Sequence, residues 1–269
     1  MKIAHEAPLS LMSQVRGSTD YCYALVHLFE EYPEYFHFFQ ESLLLGRKVI
    51  LDNSIFELGQ AFDSDRFVYW INRLQPTEYI IPDVLESSEK TISQLQDWVS
   101  TRKVQGIKIG VVQGKTYGEL VECYKAVNSL CDKIAISFDY SYYLTLFPYV
   151  DKWVGYALGR RLFLHKLQSD GILNTHKPHH LLGCSLPWEF ILYRRDNWIE
   201  TIDTSNPIVH SILGKKYGKL GLSTKSSLKL VELLKTPREK IDENLLKYNI
   251  LIFQKLANEN SNFRYSFNR

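Results

Sequence analysis

Short apolar runs rich in β-branched residues recur along the chain, and most of them end at a polar residue. Strands are therefore predicted at residues 23–26, 48–51, 78–81, 107–112, 133–136, 180–182 and 198–202. Stretches with helical periodicity lie between them. Residues 87–100 place Ile92, Leu95 and Val99 on one face, and residues 117–130 form a second such stretch. Alternating strands and helices are typical of a parallel α/β fold.

The number of these strand–helix units indicates which α/β architecture the chain forms. At least six strand–helix units within 269 residues favour a closed (β/α)₈ TIM barrel over an open doubly wound sheet. No G-x-G-x-x-G motif follows a predicted strand, which argues against a dinucleotide-binding sheet. We expect one domain over residues 1–269, with an exposed loop at 167–179, a helical C-terminal segment at 223–256 and a fraying end over the last dozen residues.

The amino-acid composition predicts where the protein is located but says little about its activity. The four cysteines are widely spaced and form neither a C-x-x-C pair nor a zinc-binding pattern, so we expect buried thiols, no metal and no cofactor. The N-terminus lacks the pattern of a secretory signal, and no apolar stretch approaches the length of a membrane span. These features predict a soluble cytoplasmic protein, in the host cytoplasm if the chain is viral. They leave the oligomeric state open.

Charge is distributed unevenly although the formal net charge is only +2. Residues 204–269 hold 12 Lys and Arg against 5 Asp and Glu, whereas the other 203 residues hold 20 against 25. A basic C-terminal quarter fits a face that contacts phosphates. Lysines on solvated surface helices would give the same pattern.

Four polar residues stand at or just after the ends of predicted strands: Asp52, Asp83, Gln113 and Asp203. In a parallel barrel the strand ends and the βα loops form one mouth, so these side chains should converge there. Any one of the three aspartates can instead cap the following helix. Four together favour a site.

Two carboxylates at one mouth suit chemistry at a glycosidic bond. One can attack the anomeric carbon while the other moves protons on the leaving and incoming groups. A third acid and an amide can read the edge of a heterocycle. Position alone leaves sugar hydrolysis and aldol chemistry open.

The order and spacing of these segments resemble the tRNA-guanine transglycosylase superfamily over residues 45–215. The most specific match is Gly110-Val111-Val112-Gln113-Gly114 followed by Tyr117-Gly118-Glu119-Leu120, which resembles the family's Gly-Ile-Val-Gln-Gly signature. Five further segments resemble, in order, the family's Asp-Ser-Gly-Gly-Phe-Gln acid/base segment, its base-binding aspartate segment, its Gly-Leu loop, its Tyr-Leu-Met-Gly strand and its Phe-Asp-Cys-x-x-Pro-Thr-Arg nucleophile segment. They are residues 52–57, 81–84, 135–138, 181–184 and 202–207.

The resemblance implies exchange of a guanine in a nucleic acid for a 7-deazaguanine. Asp203 would be the nucleophile and Asp52 the general acid/base. The small-molecule base would be held by Asp83, Gln113, Gly114, Ser137, Phe138 and Phe56, with Ser137 and Phe138 contributing backbone contacts.

Several departures from the family pattern bear on the substrate. Members that act on tRNA hold a structural zinc ion with a C-x-C-x-x-C cluster and a His near the C-terminus, whereas no cysteine follows Cys184 here. His176, His179 and His180 are interpreted as loop residues and not as a replacement. Ser54-Ile55 stands where the family has Gly-Gly, and the Thr-Arg after the nucleophile segment is missing.

A shortened chain without a zinc subdomain is most similar to the phage-type DNA 7-deazaguanine transglycosylases, which insert deazaguanine bases into viral DNA and can shield it from restriction enzymes. The implied substrates are guanine in duplex DNA and 7-cyano-7-deazaguanine or a close derivative. The alternatives are a tRNA-directed transglycosylase, a TIM-barrel glycoside or nucleoside hydrolase, and an inert barrel that binds nucleic acid or a partner subunit.

Residues that would contact the rest of the nucleic acid are also predicted. The candidate phosphate contacts are Arg160, Arg161, Lys215, Lys216 and Lys219, and a solvated surface is the alternative explanation for them. Three tyrosines after a strand end either stack on flanking bases or pack under a loop: Tyr140, Tyr142 and Tyr143.

Overall fold

The computed structural model describes residues 1–258, and within that range eight strands form one parallel sheet. They are β1 Lys2–His5, β2 Cys22–Leu25, β3 Val49–Asp52, β4 Glu78–Ile80, β5 Ile107–Val111, β6 Lys133–Ile136, β7 His179–Leu181 and β8 Ile199–Thr204. Each strand from β2 to β7 pairs with the next one along the chain, and β1 pairs with β8. The predicted (β/α)₈ barrel is confirmed, and it is nearly closed.

Side chains bridge the remaining seam between β1 and β2. The backbone N–H of Ile3 donates to the Asp20 carboxylate at 2.7 Å, and that of His5 donates to the Thr19 hydroxyl at 2.9 Å. Thr19 in turn donates to the carbonyl of Ile3 at 2.9 Å. These contacts satisfy backbone groups of β1 that a neighbouring strand would otherwise pair.

Helices follow most of the strands. Among the described residues they are α1 Met12–Arg16, α2 Leu28–Glu31, α3 Pro33–Leu44, α4 Ile55–Leu58, α5 Ser64–Leu74, α6 Ser88–Thr101, α7 Tyr117–Leu130, α8 Ser141–Leu146, α9 Lys152–Ser169, α10 Asn206–Ile212 and α11 Glu243–Asn258. No helix within residues 1–258 is both long enough and apolar enough to cross a membrane.

Helix α7 illustrates how the sequence forms these elements. It begins where the hydroxyl of Thr116 accepts from the backbone N–H of Glu119 at 3.3 Å, an N-cap that satisfies a free donor. Leu120, Cys123 and Val127 recur at helical spacing and are fully buried. They belong to one large core between the barrel and its helices.

Two predictions about connecting segments are wrong in part. Residues 170–178 do form an exposed or half-buried connection between α9 and β7, but the ends of the predicted loop do not belong to it. His179, assigned to an exposed loop, is buried and begins β7, while Leu167 lies buried in the last part of α9. Residues 223–256 are not helical throughout: the helix begins only at Glu243, and short 3₁₀ turns at Leu230–Leu233 and Arg238–Lys240 precede it. Pro237, which lacks a backbone N–H, separates these turns. The predicted fraying end and the last part of the 1–269 domain, residues 259–269, lie outside the described residues.

Candidate active site

A cavity of about 320 Å³ opens at the barrel mouth. Its lining includes seven of the eight catalytic and base-binding residues predicted from the sequence: Asp52, Phe56, Asp83, Gln113, Ser137, Phe138 and Asp203. The eighth, Gly114, is absent from the lining and packs against the start of α7, where an added Cβ would lie 2.9 Å from the backbone nitrogen of Leu120. The barrel therefore brings together residues that are up to 151 positions apart in the chain.

Asp203 lies near the end of β8, and protein donors hold its carboxylate. The backbone N–H of Gly183 donates to both oxygens, at 3.0 and 3.2 Å. Nε2 of His180 lies 3.0 Å from Oδ1, and Nδ1 of His180 lies 2.9 Å from the Thr201 hydroxyl. Burial lowers the pKa of His180 although Asp203 opposes this shift. A neutral imidazole that donates from Nε2 and accepts at Nδ1 fits these contacts.

Asp52, at the end of β3, is held differently. Tyr23 donates its hydroxyl to Oδ2 at 2.5 Å, and the backbone N–H of Ser54 donates to Oδ1 at 2.5 Å. Ser54 has a left-handed backbone (φ 61°), which turns the chain back over the carboxylate. Burial raises the pKa of Asp52 to about 7; the two hydrogen bonds oppose the rise, and Asp203 and Asp83 add to it. At neutral pH this group can both give and accept a proton.

Asp83, Gln113 and Asn53 form a hydrogen-bonded set in the lining of the cavity. Asn53 Nδ2 donates to one oxygen of Asp83 at 2.8 Å, and Gln113 Nε2 donates to the other at 2.6 Å. The Gln113 carbonyl accepts from the backbone N–H of Glu86 at 2.9 Å. Burial raises the pKa of Asp83 to about 6, against the effect of Asn53 and Gln113. The set presents oriented acceptors, and the sequence reasoning did not include Asn53.

Aromatic rings also line the cavity. Phe138 is 6% exposed, and its ring centroid lies 5.8 Å from that of Phe56 and 6.1 Å from that of Tyr156. It also packs on the Cα of Gly183, so Phe138 serves both the core and the cavity. The backbone N–H of Ser137 already donates to the Tyr140 hydroxyl at 3.0 Å.

Three lysines that the sequence analysis did not select line the cavity near these rings. Lys225 Nζ lies 3.8 Å from the Phe138 ring centroid, Lys229 Nζ lies 4.4 Å from that of Phe56, and Lys152 Nζ lies 4.5 Å from that of Trp153. None of the three forms an ion pair with another residue in the described part of the chain. Burial lowers the pKa of Lys225.

Three further acids line the cavity: Glu6, Glu57 and Asp139. Burial, together with the charge of Asp52, raises the pKa of Glu57 to about 8. Burial raises the pKa of Glu6 well above its ordinary value, and Asp203, Glu57 and Asp52 add to the shift. Burial therefore favours the protonated, uncharged form of both glutamate carboxyl groups. Glu57 lies in the segment that resembles the acid/base motif of the transglycosylase superfamily. Nothing in the sequence around Glu6 indicates that it belongs to a site.

The predicted phosphate contacts lie elsewhere, and Arg160 is wrong. It is fully buried in α9, where it pairs with Glu189 at 2.7 Å. Arg161 pairs with Asp196. Lys215, Lys216 and Lys219 follow α10 and do not line the cavity.

Two of the three tyrosines after β6 pack inside the protein, and the third, Tyr142, is half-buried. Tyr140 and Tyr143 are buried, as expected for packing under a loop, and Tyr142 lies against Tyr143 with ring centroids 6.3 Å apart.

Within residues 1–258 no group of three or more His, Cys, Asp or Glu side chains is arranged to hold a metal ion. In comparisons with known proteins, the chain matches no protein-family model and no curated protein.

Proposed function

We propose that the protein is a transglycosylase that exchanges guanine in DNA for a 7-deazaguanine, such as 7-cyano-7-deazaguanine, through a glycosyl ester of Asp203. The observation that carries the proposal is the difference between two carboxylates in one cavity. Asp203 is held by N–H donors at 3.0 Å, whereas the pKa of Asp52 is raised to about 7. Two carboxyl groups in such different environments can take different roles, one as the nucleophile and the other as the general acid/base.

In the first step, an oxygen of Asp203 attacks C1′ of the target nucleotide. The bond between C1′ and N9 breaks, its electron pair leaves with guanine, and protonated Asp52 supplies the proton that neutralises the departing base. The products are free guanine, an ionised Asp52 and a glycosyl ester on Asp203.

In the second step, ionised Asp52 takes the N9 proton of the incoming deazaguanine. N9 attacks C1′, the ester bond breaks, and its electrons return to the Asp203 carboxylate. Two inversions at C1′ retain the configuration, as in retaining glycosidases. Both side chains return to their starting states, so the exchange consumes no other reactant.

Asp83 and Gln113 would hold the base in both steps. Guanine and 7-deazaguanine share the N1–H and 2-amino donors and the 6-oxo acceptor. A carboxylate oriented by Asn53 and Gln113 can accept from those donors. One pocket can therefore serve the departing and the incoming base, which differ at position 7.

Three lysines that line the cavity, Lys152, Lys225 and Lys229 (the rim lysines), and the nearby aromatic rings support a nucleic-acid substrate. The target nucleotide must leave the base stack, at a cost of a few kcal/mol. Phe56, Phe138 and Trp153 offer ring faces for stacking, and Lys152, Lys225 and Lys229 offer cations for phosphates. DNA is preferred over tRNA because the sequence lacks the cysteine cluster of the tRNA-directed enzymes.

The test supplies duplex DNA with labelled guanine and 7-cyano-7-deazaguanine, then measures guanine release and base incorporation. We expect both with DNA, and neither with Asp203→Asn, whose side chain cannot form the ester. A parallel reaction uses tRNA, and another omits the incoming base. Exchange on tRNA alone would indicate the tRNA-directed alternative, and guanine release without the incoming base would indicate a hydrolase. DNA binding without exchange would indicate an inert binding barrel.

A further inference from the structure

Arg160 is a fully buried cation whose donors point toward the active site. Its Nε pairs with Glu189 at 2.7 Å. Its NH1 group donates to the carbonyl of Leu182 at 2.7 Å and lies 3.5 Å from that of Ile136, while NH2 donates to the carbonyl of Gly183 at 3.3 Å. Burial alone would lower the pKa of Arg160, but Glu189 raises it above its ordinary value. The guanidinium is therefore charged, and it braces the ends of β6 and β7.

One of these contacts leads directly to Asp203. The carbonyl of Leu182 and the N–H of Gly183 belong to the same planar peptide group. The carbonyl accepts from Arg160 at 2.7 Å, and the N–H donates to the Asp203 oxygens at 3.0 and 3.2 Å. A cation on the oxygen of a peptide polarises its N–H and makes that N–H a stronger donor. Arg160 and Asp203 are thus joined through a single peptide group.

The conformation of Gly183 explains why the hydrogen bonds from Arg160 to the Leu182 and Gly183 carbonyls, here called the brace, are needed. Gly183 has a left-handed backbone (φ 65°), and the Phe138 ring lies where a side chain would be, 2.5 Å from an added Cβ. A glycine peptide has access to many backbone conformations, so it can rotate its N–H away from a neighbour at little cost. Because Arg160 binds the carbonyls on both sides of the Gly183 nitrogen and Cα, rotation of this peptide would break its hydrogen bonds.

We infer that Arg160 is a positioning residue for Asp203: it holds and polarises the Leu182–Gly183 peptide so that its N–H remains a fixed donor to the carboxylate. The consequence for the reaction rests on the proposed function. A donor on this carboxylate assists the second step most, because that step returns negative charge to the Asp203 oxygens. Loss of the brace should slow ester breakdown more than ester formation, so that the glycosyl–enzyme ester accumulates.

The test removes the ion pair as a unit, in R160M/E189M, because deleting one partner would leave a buried charge alone and unfold the protein. A second variant, Arg160→Lys, keeps the positive charge but offers a single ammonium in place of the planar fork. The matched control is K133M/E78M. It removes another buried ion pair, 2.9 Å long, that joins β4 and β6 and has no side chain at the cavity. Glu200, the second partner of Lys133 at 2.9 Å, keeps its ion pair with Lys2 at 3.2 Å.

Two measurements are made on each protein. The rate of amide hydrogen exchange at Gly183, in the protein without substrate, measures how firmly the Gly183 N–H is held. We expect exchange about tenfold faster in R160M/E189M, the factor equivalent to one hydrogen bond, with partial recovery in Arg160→Lys and no change in the control. Trapping with labelled DNA reports the ester, which should occupy a several-fold larger fraction of R160M/E189M than of the wild type at steady state.

The outcomes separate the inference from the proposed function. Unchanged Gly183 exchange in R160M/E189M, or an equal change in the control, would overturn the inference even if the wild type exchanges bases. Faster Gly183 exchange together with an inactive wild type would support the brace and refute the transglycosylase. A uniform loss of rate without ester accumulation would mean that Arg160 has only a structural role.

Discussion

The rings of Tyr23 and His180 lie nearly parallel in the barrel, at an interplanar angle of 11° and with centroids 5.8 Å apart. Each ring is hydrogen-bonded to a different carboxylate: Tyr23 to Asp52 at 2.5 Å and His180 to Asp203 at 3.0 Å. The stacked pair therefore links the proposed acid/base to the proposed nucleophile. Burial raises the pKa of Tyr23 well above its ordinary value, so this ring stays a donor across the neutral range.

Removing the Tyr23 hydroxyl should shift the pH dependence of exchange. In the proposed mechanism the first step needs protonated Asp52, so the rate should fall as pH rises through the Asp52 pKa of about 7. The hydrogen bond from Tyr23 opposes the effect of burial on that pKa. Its loss in Tyr23→Phe therefore moves the alkaline limb of kcat/KM to higher pH, with a lower maximum because Asp52 is less well oriented. Tyr124→Phe, which removes a buried hydroxyl 3.0 Å from His179 and away from the cavity, is the control. A limb that stays in place or moves to lower pH would contradict the assignment of Asp52.

The buried Asp52 carboxyl should also lower the free energy of unfolding at mildly alkaline pH. Burial raises its pKa from the usual 3.8 to about 7, so the folded chain binds more protons than the unfolded chain between these values. The free energy of unfolding then falls as pH rises through this window. We expect Asp52→Asn to be more stable than the wild type by roughly 1–3 kcal/mol at pH 8 and to lose that advantage near pH 4. Thermal unfolding at the two pH values measures the difference. The exposed Asp97→Asn on α6 should show none, and an equal effect there would contradict the explanation.

The barrel could be predicted from the sequence because its strands are nearly continuous apolar runs, and the strand-end residues then followed from the fold. β1 was missed because Lys2–His5 offers only two apolar residues between polar ones. Its status as a strand is decided by pairing with β8, a long-range contact that no local pattern encodes.

Other parts of the site depend on burial and on contacts between distant segments. Arg160 stands beside Arg161 and resembles a surface cation, but its helical position turns it into the core. Lys229 reaches the carbonyl of Phe56 at 3.0 Å across 173 positions of the chain. His180 lies in a run of histidines that indicated a loop, and only the partner at Asp203 identifies its role.

Gly183→Ala should lower both the free energy of unfolding and the rate of base exchange. Alanine at a φ of 65° is strained by roughly 1–2 kcal/mol, and here its Cβ would also lie 2.5 Å from the Phe138 ring. Gly171→Ala is a matched control, because Gly171 has a φ of 68° and no atom within 4 Å of an added Cβ. Urea unfolding of both variants separates the two effects: the strain is common to both, and any excess in Gly183→Ala reports the contact with Phe138. Equal losses in the two variants would show that the ring is free to move aside.

The rim lysines should determine how DNA binding responds to salt. Under the proposed function Lys225 and Lys229, at the cavity and without ion-pair partners among residues 1–258, contact phosphates of the bound strand. Each phosphate contact contributes roughly 0.7–0.9 to the slope of log affinity against log salt concentration. K225A/K229A should therefore weaken binding at low salt and flatten that slope by roughly 1.4–1.8. K215A/K219A removes the same charge from a segment outside the cavity. Titrations of labelled DNA at several salt concentrations compare the pairs. A flatter slope in K215A/K219A alone would move the phosphate-binding surface to the segment after α10.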